Sequence, residues 1–376
     1  MKDAPTSSRD DSAMTTQWGH DHTTVAAHVD NVATALDVPA IGPTATTRTT
    51  VLQTLARNSF GIALLVAGLV GLGLGVPNFL TTSNLLNILQ QVSIIGVVSI
   101  GMVFVVLTAG IDLSVGSALA LTNVLFALFI AHGLAPWISM VCAVLVGGVF
   151  GLVNGVGITF LRIQPFVMTL ATLAIGAGVA LSISNGSEVS YSRTDGLTNF
   201  LGNGGIGSFP GEFVAFAVVI AIGLFVAKFT PFGRRVYAVG GSAETARLSG
   251  IRVRRVVMSV YIIAGMCAGL AGVMTAAQLQ AGEPTAGSLT NLQAIAAVVI
   301  GGVSLFGGRG SVIGGAIGAF VLAIIANVLV LLGVSPYSAE TVQGIVIVAA
   351  VLIASAETRT WIGQQVRLRI KESRSA

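Results

Sequence analysis

From Phe60 to Ser355 the chain is apolar almost without a break. A soluble fold cannot be built this way, because the outer face of each of its helices or strands must be polar. Charged residues make up 9% of the sequence, against about 25% in an ordinary soluble domain. Hydrocarbon offers backbone N–H and C=O groups no partner, and long unbroken apolar runs meet that demand as helices. Each span needs about 20 residues. Reading the runs between breakers predicts ten spans, near 60–77, 85–109, 113–132, 136–160, 165–184, 212–230, 256–280, 291–306, 311–333 and 338–356. The predicted fold class is an all-α polytopic membrane protein with about ten transmembrane helices. Residues 51–358 are expected to form one membrane domain, between a disordered polar tail at 1–50 and a basic tail at 359–376. The first tail has no apolar run behind a basic start, so a signal peptide is not expected there.

One long basic interruption, Lys228 to Arg255, holds seven of the nineteen Lys and Arg residues. Basic loops stay on the cytoplasmic side. With the N-terminus inside and ten spans, eighteen of the nineteen fall inside and only Arg193 outside. Both termini and the 228–255 loop are therefore expected in the cytoplasm, with the chain multi-pass in the membrane. Within the loop, Ser242 to Gly250 reads as a short capped helix. Ser242 is the N-cap, Glu244 sits in the first turn, Arg247 in the last, and Gly250 can close the end. A short capped helix between two spans suits docking by another protein. The outer loops carry Glu188, Asp195, Glu212, Glu283 and Glu340, a possible acidic rim for an external partner.

Catalytic machinery is not evident. A P-loop needs a glycine-rich turn ending in Gly-Lys, and the three lysines, Lys2, Lys228 and Lys371, each follow another residue type. If ATP drives this chain, a partner hydrolyses it. Cys142 and Cys267 stand alone in apolar spans, and His20 and His22 lie in the tail, so neither a metal nor a cofactor is expected. The net charge of +4 follows from loop orientation and gives no reason to expect nucleic acid.

Asp112 is the only acid between Phe60 and Ser184. It can cap the third span with Ser114 and Ser117, or meet a hydrophilic solute. Asn154, Thr169, Thr172, Asn291 and Gln293 are neutral hydrogen-bonding groups at or near membrane depth, suited to holding helices together or to lining a path. A gradient-driven carrier usually needs buried ionisable groups, and few are present. A secondary transporter of a small polar solute, working without an ATPase, is the alternative reading. Two glycine turns, Thr108–Gly116 and Gly307–Gly315, echo each other and suggest a weak internal repeat.

Several stretches together carry a resemblance. They are Gly110-Ile-Asp-Leu-Ser-Val-Gly-Ser117, Asn154-Gly155 with Leu161 to Thr172, Ala246-Arg-Leu-Ser-Gly-Ile251, Pro284-Thr-Ala-Gly287, Ala294 to Gly302, Gly307-Gly-Arg-Gly-Ser311 and Leu332 to Pro336. Over about residues 60–356 the chain resembles the ribose/xylose/galactose-type permeases of bacterial ABC importers. The resemblance implies the larger-type importer permease fold and a permease pair, homo- or heterodimeric, in the cytoplasmic membrane. It also implies ABC ATPase subunits beneath and an external solute-binding protein above. The chain would then be the non-enzymatic translocation subunit for a monosaccharide-like solute. Ser242, Glu244, Arg247, Leu248, Ser249 and Gly250 would be the helix that couples to the ATPase. Asp112, Ser114, Asn154, Thr169, Thr172, Asn291 and Gln293 would be path candidates. The chain departs from relatives at Thr290-Asn-Leu-Gln293, where they often carry acids.

Overall fold

A computed structural model describes residues 71, 75–192 and 196–335, with isolated positions between 338 and 348. Most of the predicted first and tenth spans, both tails, Arg193, Asp195 and Glu340 lie outside these residues.

The remaining eight predicted spans each correspond to a helix. They are α1 (Thr82–Leu107), α2 (Val115–Ala131), α3 (Pro136–Thr159), α4 (Pro165–Ile183), α6 (Gly211–Phe229), α9 (Val253–Leu279), α10 (Thr290–Ile300) and α11 (Val312–Leu331). Between them lie α5 (Gly196–Gly202), α7 (Pro231–Gly241) and α8 (Ala243–Leu248). Among the described residues, six helices are long and apolar enough to cross a membrane; α2 and α10 are shorter. Proline opens α3, α4 and α7, where its missing N–H costs nothing.

α10 corrects its predicted span. The apolar run continues to Phe306, but the helix stops at Ile300. Gly302 takes φ +75°, and its N–H and that of Val303 return to the Val299 and Val298 carbonyls. This closure satisfies the helix end and turns the chain away.

α1 is the buried axis of the bundle, enclosed almost continuously from Gly96 to Leu107. α9 packs beside it, while α4 and α6 turn most of their length outward, as lipid-facing helices do. Small residues let α3 and α9 approach backbone to backbone. Gly147 and Gly151 of α3 face Gly265 and Gly269 of α9, each four apart. Polar pairs add specificity: Asn84 of α1 and Asn327 of α11 exchange two amide hydrogen bonds, at 3.0 and 2.8 Å.

Helices carry the fold, but two short ladders supplement it. β1 (Val189–Ser190) pairs antiparallel with β4 (Ala281–Gly282), and β2 (Gly205–Ile206) forms a hairpin with β3 (Phe209–Pro210). The buried Tyr191 fixes this region to α9, donating its hydroxyl to the Ala276 carbonyl at 2.9 Å and meeting Phe126 edge-on. The described part of the segment between α4 and α6 is thus folded onto the bundle.

That folding corrects the expected acidic rim. Glu212 is fully buried in the first turn of α6. The α5 segment covers the start of α6: a Cβ on Gly211 would overlap the Phe200 carbonyl. Glu188 stays exposed, and Glu283 is half-buried.

Candidate functional site

Two groups of residues singled out by sequence occupy different parts of the molecule. The first is the loop between α6 and α9. Thr230 caps α7 by accepting the Gly233 N–H at 3.2 Å. Ser242 then ends α7 and caps α8, accepting the Thr245 N–H at 3.2 Å. At the far end Gly250 takes φ +81°, and its N–H and that of Ile251 bond to the Arg247 and Ala246 carbonyls, both at 3.0 Å. A six-residue helix is too short to persist alone. This one is closed at both ends and pinned by its buried Ala246.

The rest of α8 faces outward. Leu248 is 76% exposed. Arg247 forms a two-pronged pair with Glu244, with contacts of 2.6 and 3.1 Å. Its hydrogen bond, and then its charge, hold the Glu244 carboxyl below the usual carboxylate range, while Arg247 shifts upward. An exposed pair of this kind adds little stability. Its consequence is a fixed surface of one leucine flanked by two opposite charges. Ser242→Ala should cost this helix about 1 kcal/mol. The Thr245 amide should then exchange its hydrogen about fivefold faster, as read by mass spectrometry.

The second group is buried. Asp112 Oδ1 accepts from the Ser114 N–H at 2.9 Å and from Ser114 Oγ at 2.6 Å. Asp112 therefore shapes the turn before α2 rather than capping the helix itself, whose N-cap is Ser114. Ser114 Oγ accepts from Asn154 Nδ2 on α3 at 2.7 Å, and Asn154 Oδ1 accepts from Thr172 Oγ1 on α4 at 2.7 Å. Thr169, one turn earlier on α4, contacts the Ile111 carbonyl at 3.5 Å. Five sequence-selected residues thus form one connected chain across α2, α3 and α4, all buried. Tyr261 on α9, which sequence reading passed over, donates its hydroxyl to the Ile111 carbonyl at 3.2 Å.

Asn291 and Gln293 sit apart from this chain, in the first turns of α10. Asn291 is buried, its Oδ1 has no partner among the described residues, and its backbone lies against Gly116 of α2. Both α2 and α10 begin after irregular chain in the membrane domain, where such backbone must be enclosed by protein or line a cavity. Asn123 encloses part of it by accepting the Glu283 N–H at 2.6 Å.

Residues 84–351 match the family described as "Branched-chain amino acid transport system / permease component". The chain belongs to this permease family. It is 41% identical to the ribose import permease protein RbsC of Bacillus subtilis (strain 168), over 277 residues that cover 74% of this chain and 86% of the relative. RbsC of Escherichia coli (strain K12) is also 41% identical, over 280 residues, 74% of this chain and 87% of the relative. The D-allose transport system permease protein AlsC of Escherichia coli (strain K12) is 39% identical over 297 residues, 78% of this chain and 90% of the relative. No solved structure matches. The protein is a multi-pass membrane permease, a translocation subunit of an ABC importer rather than an enzyme. The motifs that carried the resemblance lie in α2, α3, α4, α8, α10, the turns beside them and the turn after α11, except Pro336, which lies outside the described residues.

Proposed function

We propose that this permease passes a monosaccharide across the cytoplasmic membrane, driven by a separate ABC ATPase that docks on α8. The relatives are named for ribose and allose, and a further one, 34% identical, for fructose. The observation that carries the reading is α8 itself. A helix of six residues, capped at both ends, presents Leu248 between Glu244 and Arg247 with nothing among the described residues to cover it. Ser242, Ser249 and Gly250 hold its ends. Ten spans place both termini and this helix in the cytoplasm, and two permease protomers enclose the path in the larger-type importer arrangement. An external binding protein delivers the sugar to the opposite face.

The chain Asp112–Ser114–Asn154–Thr172, with Thr169, is the fixed wall of the path. Its hydrogen bonds are already committed between helices, so its work is to hold α2, α3 and α4 in register. Asn291 and Gln293 are the polar groups of α10 nearest to solute. They are neutral amides, suited to a hydroxylated, uncharged cargo.

The test is purification of the tagged chain from its native membrane in mild detergent, with its co-purifying proteins identified. An ABC ATPase should accompany the parent. It should be depleted at least fivefold with Glu244→Ala/Arg247→Ala/Leu248→Ala. Reconstituted with that ATPase and a binding protein, the parent should take up at least one of D-ribose, D-allose and D-fructose. A parent that brings no ATPase, yet accumulates sugar under an imposed proton gradient, would establish the secondary carrier instead.

A further inference from the structure

Beside α8, three stretches of backbone meet with no side chain between them. Gly240, near the end of α7, has no space for a Cβ, which would overlap the Leu107 carbonyl and press on the Gly308 amide. Leu107 is the last residue of α1. Its carbonyl, which no N–H of its own helix can reach, accepts the Gly308 N–H at 2.9 Å. Gly307 packs as closely: a Cβ there would lie 2.9 Å from both the Ala109 nitrogen and the Gly240 carbonyl oxygen. One turn back on α7, the Tyr237 hydroxyl donates to the Gly310 carbonyl at 3.1 Å. The two glycine turns that echo each other in sequence are thus in contact, and the helix leading into α8 is joined to both.

The joint continues into the buried polar chain. After Leu107, α1 closes with Ala109 in the left-handed region at φ 60°, and the Ala109 and Gly110 N–H groups return to the Val106 and Val105 carbonyls. The left-handed conformation is costly for alanine, and such strain persists only where the surroundings over-determine it. Three residues after Ala109, Asp112 begins the hydrogen-bonded chain to Ser114, Asn154 and Thr172. Layers of side chains can take up a displacement by changing rotamer. Backbones bonded directly to one another have no such slack.

We propose that Gly240, Tyr237 and the Gly307–Gly310 turn form a rigid joint that transmits movement of α8 to the Asp112 turn. Gly240 and Tyr237 are positioning residues for transport, acting through that turn rather than touching solute. The proposal rests on the reading of α8 as the ATPase contact and adds the route by which its motion reaches the path. Among the described residues, α9 also reaches the first turn, where Tyr261 donates to the Ile111 carbonyl at 3.2 Å, but α7 meets the end of α1 through Gly240 and the second turn through Gly240 and Tyr237.

The experiment uses the complete transporter, permease with ATPase and binding protein, in proteoliposomes. The probe is whichever of D-ribose, D-allose and D-fructose the parent takes up. Gly240→Val and Tyr237→Phe are compared by ATPase co-purification, sugar-stimulated ATP hydrolysis and uptake. Gly240→Val should keep co-purification and hydrolysis within about twofold of the parent and lose uptake at least tenfold. Tyr237→Phe, which removes one hydrogen bond and keeps the ring, should lower uptake per ATP about threefold. Unchanged uptake per ATP in both variants would overturn the joint. So would loss of all three readouts in Gly240→Val with Tyr237→Phe at parental coupling, because the contact would then serve folding alone. A parent that recruits no ATPase removes the underlying reading, and the joint with it, before either variant is made.

Discussion

Gly265→Leu should leave the bundle unable to close. Gly265 lies on α9 where a Cβ would overlap the Gly147 carbonyl and stand 2.9 Å from the Gly151 nitrogen. The contact is reciprocal, since a Cβ on Gly147 would overlap the Gly265 carbonyl and one on Gly151 the Tyr261 carbonyl. Small residues four apart on both helices allow this approach, and packing and backbone proximity hold it together without any difference in apolarity from lipid. A leucine cannot find a rotamer that avoids a neighbouring backbone, so the helices must separate along the whole seam. Overpacking typically costs about 1–3 kcal/mol, and here the upper end or more applies. Against a total stability of about 5–15 kcal/mol, that is a large share. In fluorescence-detected size-exclusion chromatography, Gly265→Leu should lose the monodisperse peak or melt about 6 °C or more below the parent, the shift that about 3 kcal/mol produces at about 2 °C per kcal/mol in a large chain. Gly178→Leu is the control: that glycine of α4 has open space where its Cβ would be, and the variant should elute as the parent does. Equal profiles for the two variants would refute the seam.

What sequence could reveal depended on how local each signal was. The spans were readable because about 20 consecutive apolar residues define one without reference to any partner. The ends of α8 were readable for the same reason: Ser242 and Gly250 act on atoms within four residues of themselves. The spacing of Gly147 with Gly151 and Gly265 with Gly269 was also present in the sequence, and its period would have found the seam. Other features depend on residues far apart in the chain. Gly240 is an ordinary helix glycine until Leu107 and Gly308 are placed beside it. Tyr261 and Tyr237 drew no assignment from sequence, and only the fold brings their hydroxyls to the Ile111 and Gly310 carbonyls. Glu212 was assigned to a solvated rim by its position in a loop, and the folding of α5 over the start of α6 reversed that. The run through Phe306 overrode helix termination in the α10 reading, because hydropathy does not register that Gly302 can take φ +75°.

Asp112→Ala should lower sugar uptake about a hundredfold, while Asp112→Asn should keep it within about threefold of the parent. The structure gives the Asp112 side chain two partners, the Ser114 N–H at 2.9 Å and the Ser114 hydroxyl at 2.6 Å, both held by Oδ1. Alanine removes that acceptor and leaves the Ser114 N–H without it in a buried turn. Hydrogen bonds to a charged group contribute about 1.5–3 kcal/mol each, so losing the pair costs roughly 3 kcal/mol. Spent at the step that needs this turn, roughly 3 kcal/mol corresponds to about two powers of ten in rate. The damage would spread, because Ser114 Oγ also receives Asn154, and Asn154 receives Thr172. Asparagine keeps an oxygen at the Oδ1 position and gives up only the charge. The pair of variants therefore separates geometry from charge. Uptake retained by Asn and lost by Ala makes Asp112 the anchor of a scaffold. Uptake lost equally by both, in proteins that fold and recruit ATPase normally, would mean that the negative charge itself is used. The solute or a mobile group would then have to meet Asp112 during the cycle, and the fixed-wall reading of the polar chain would fail.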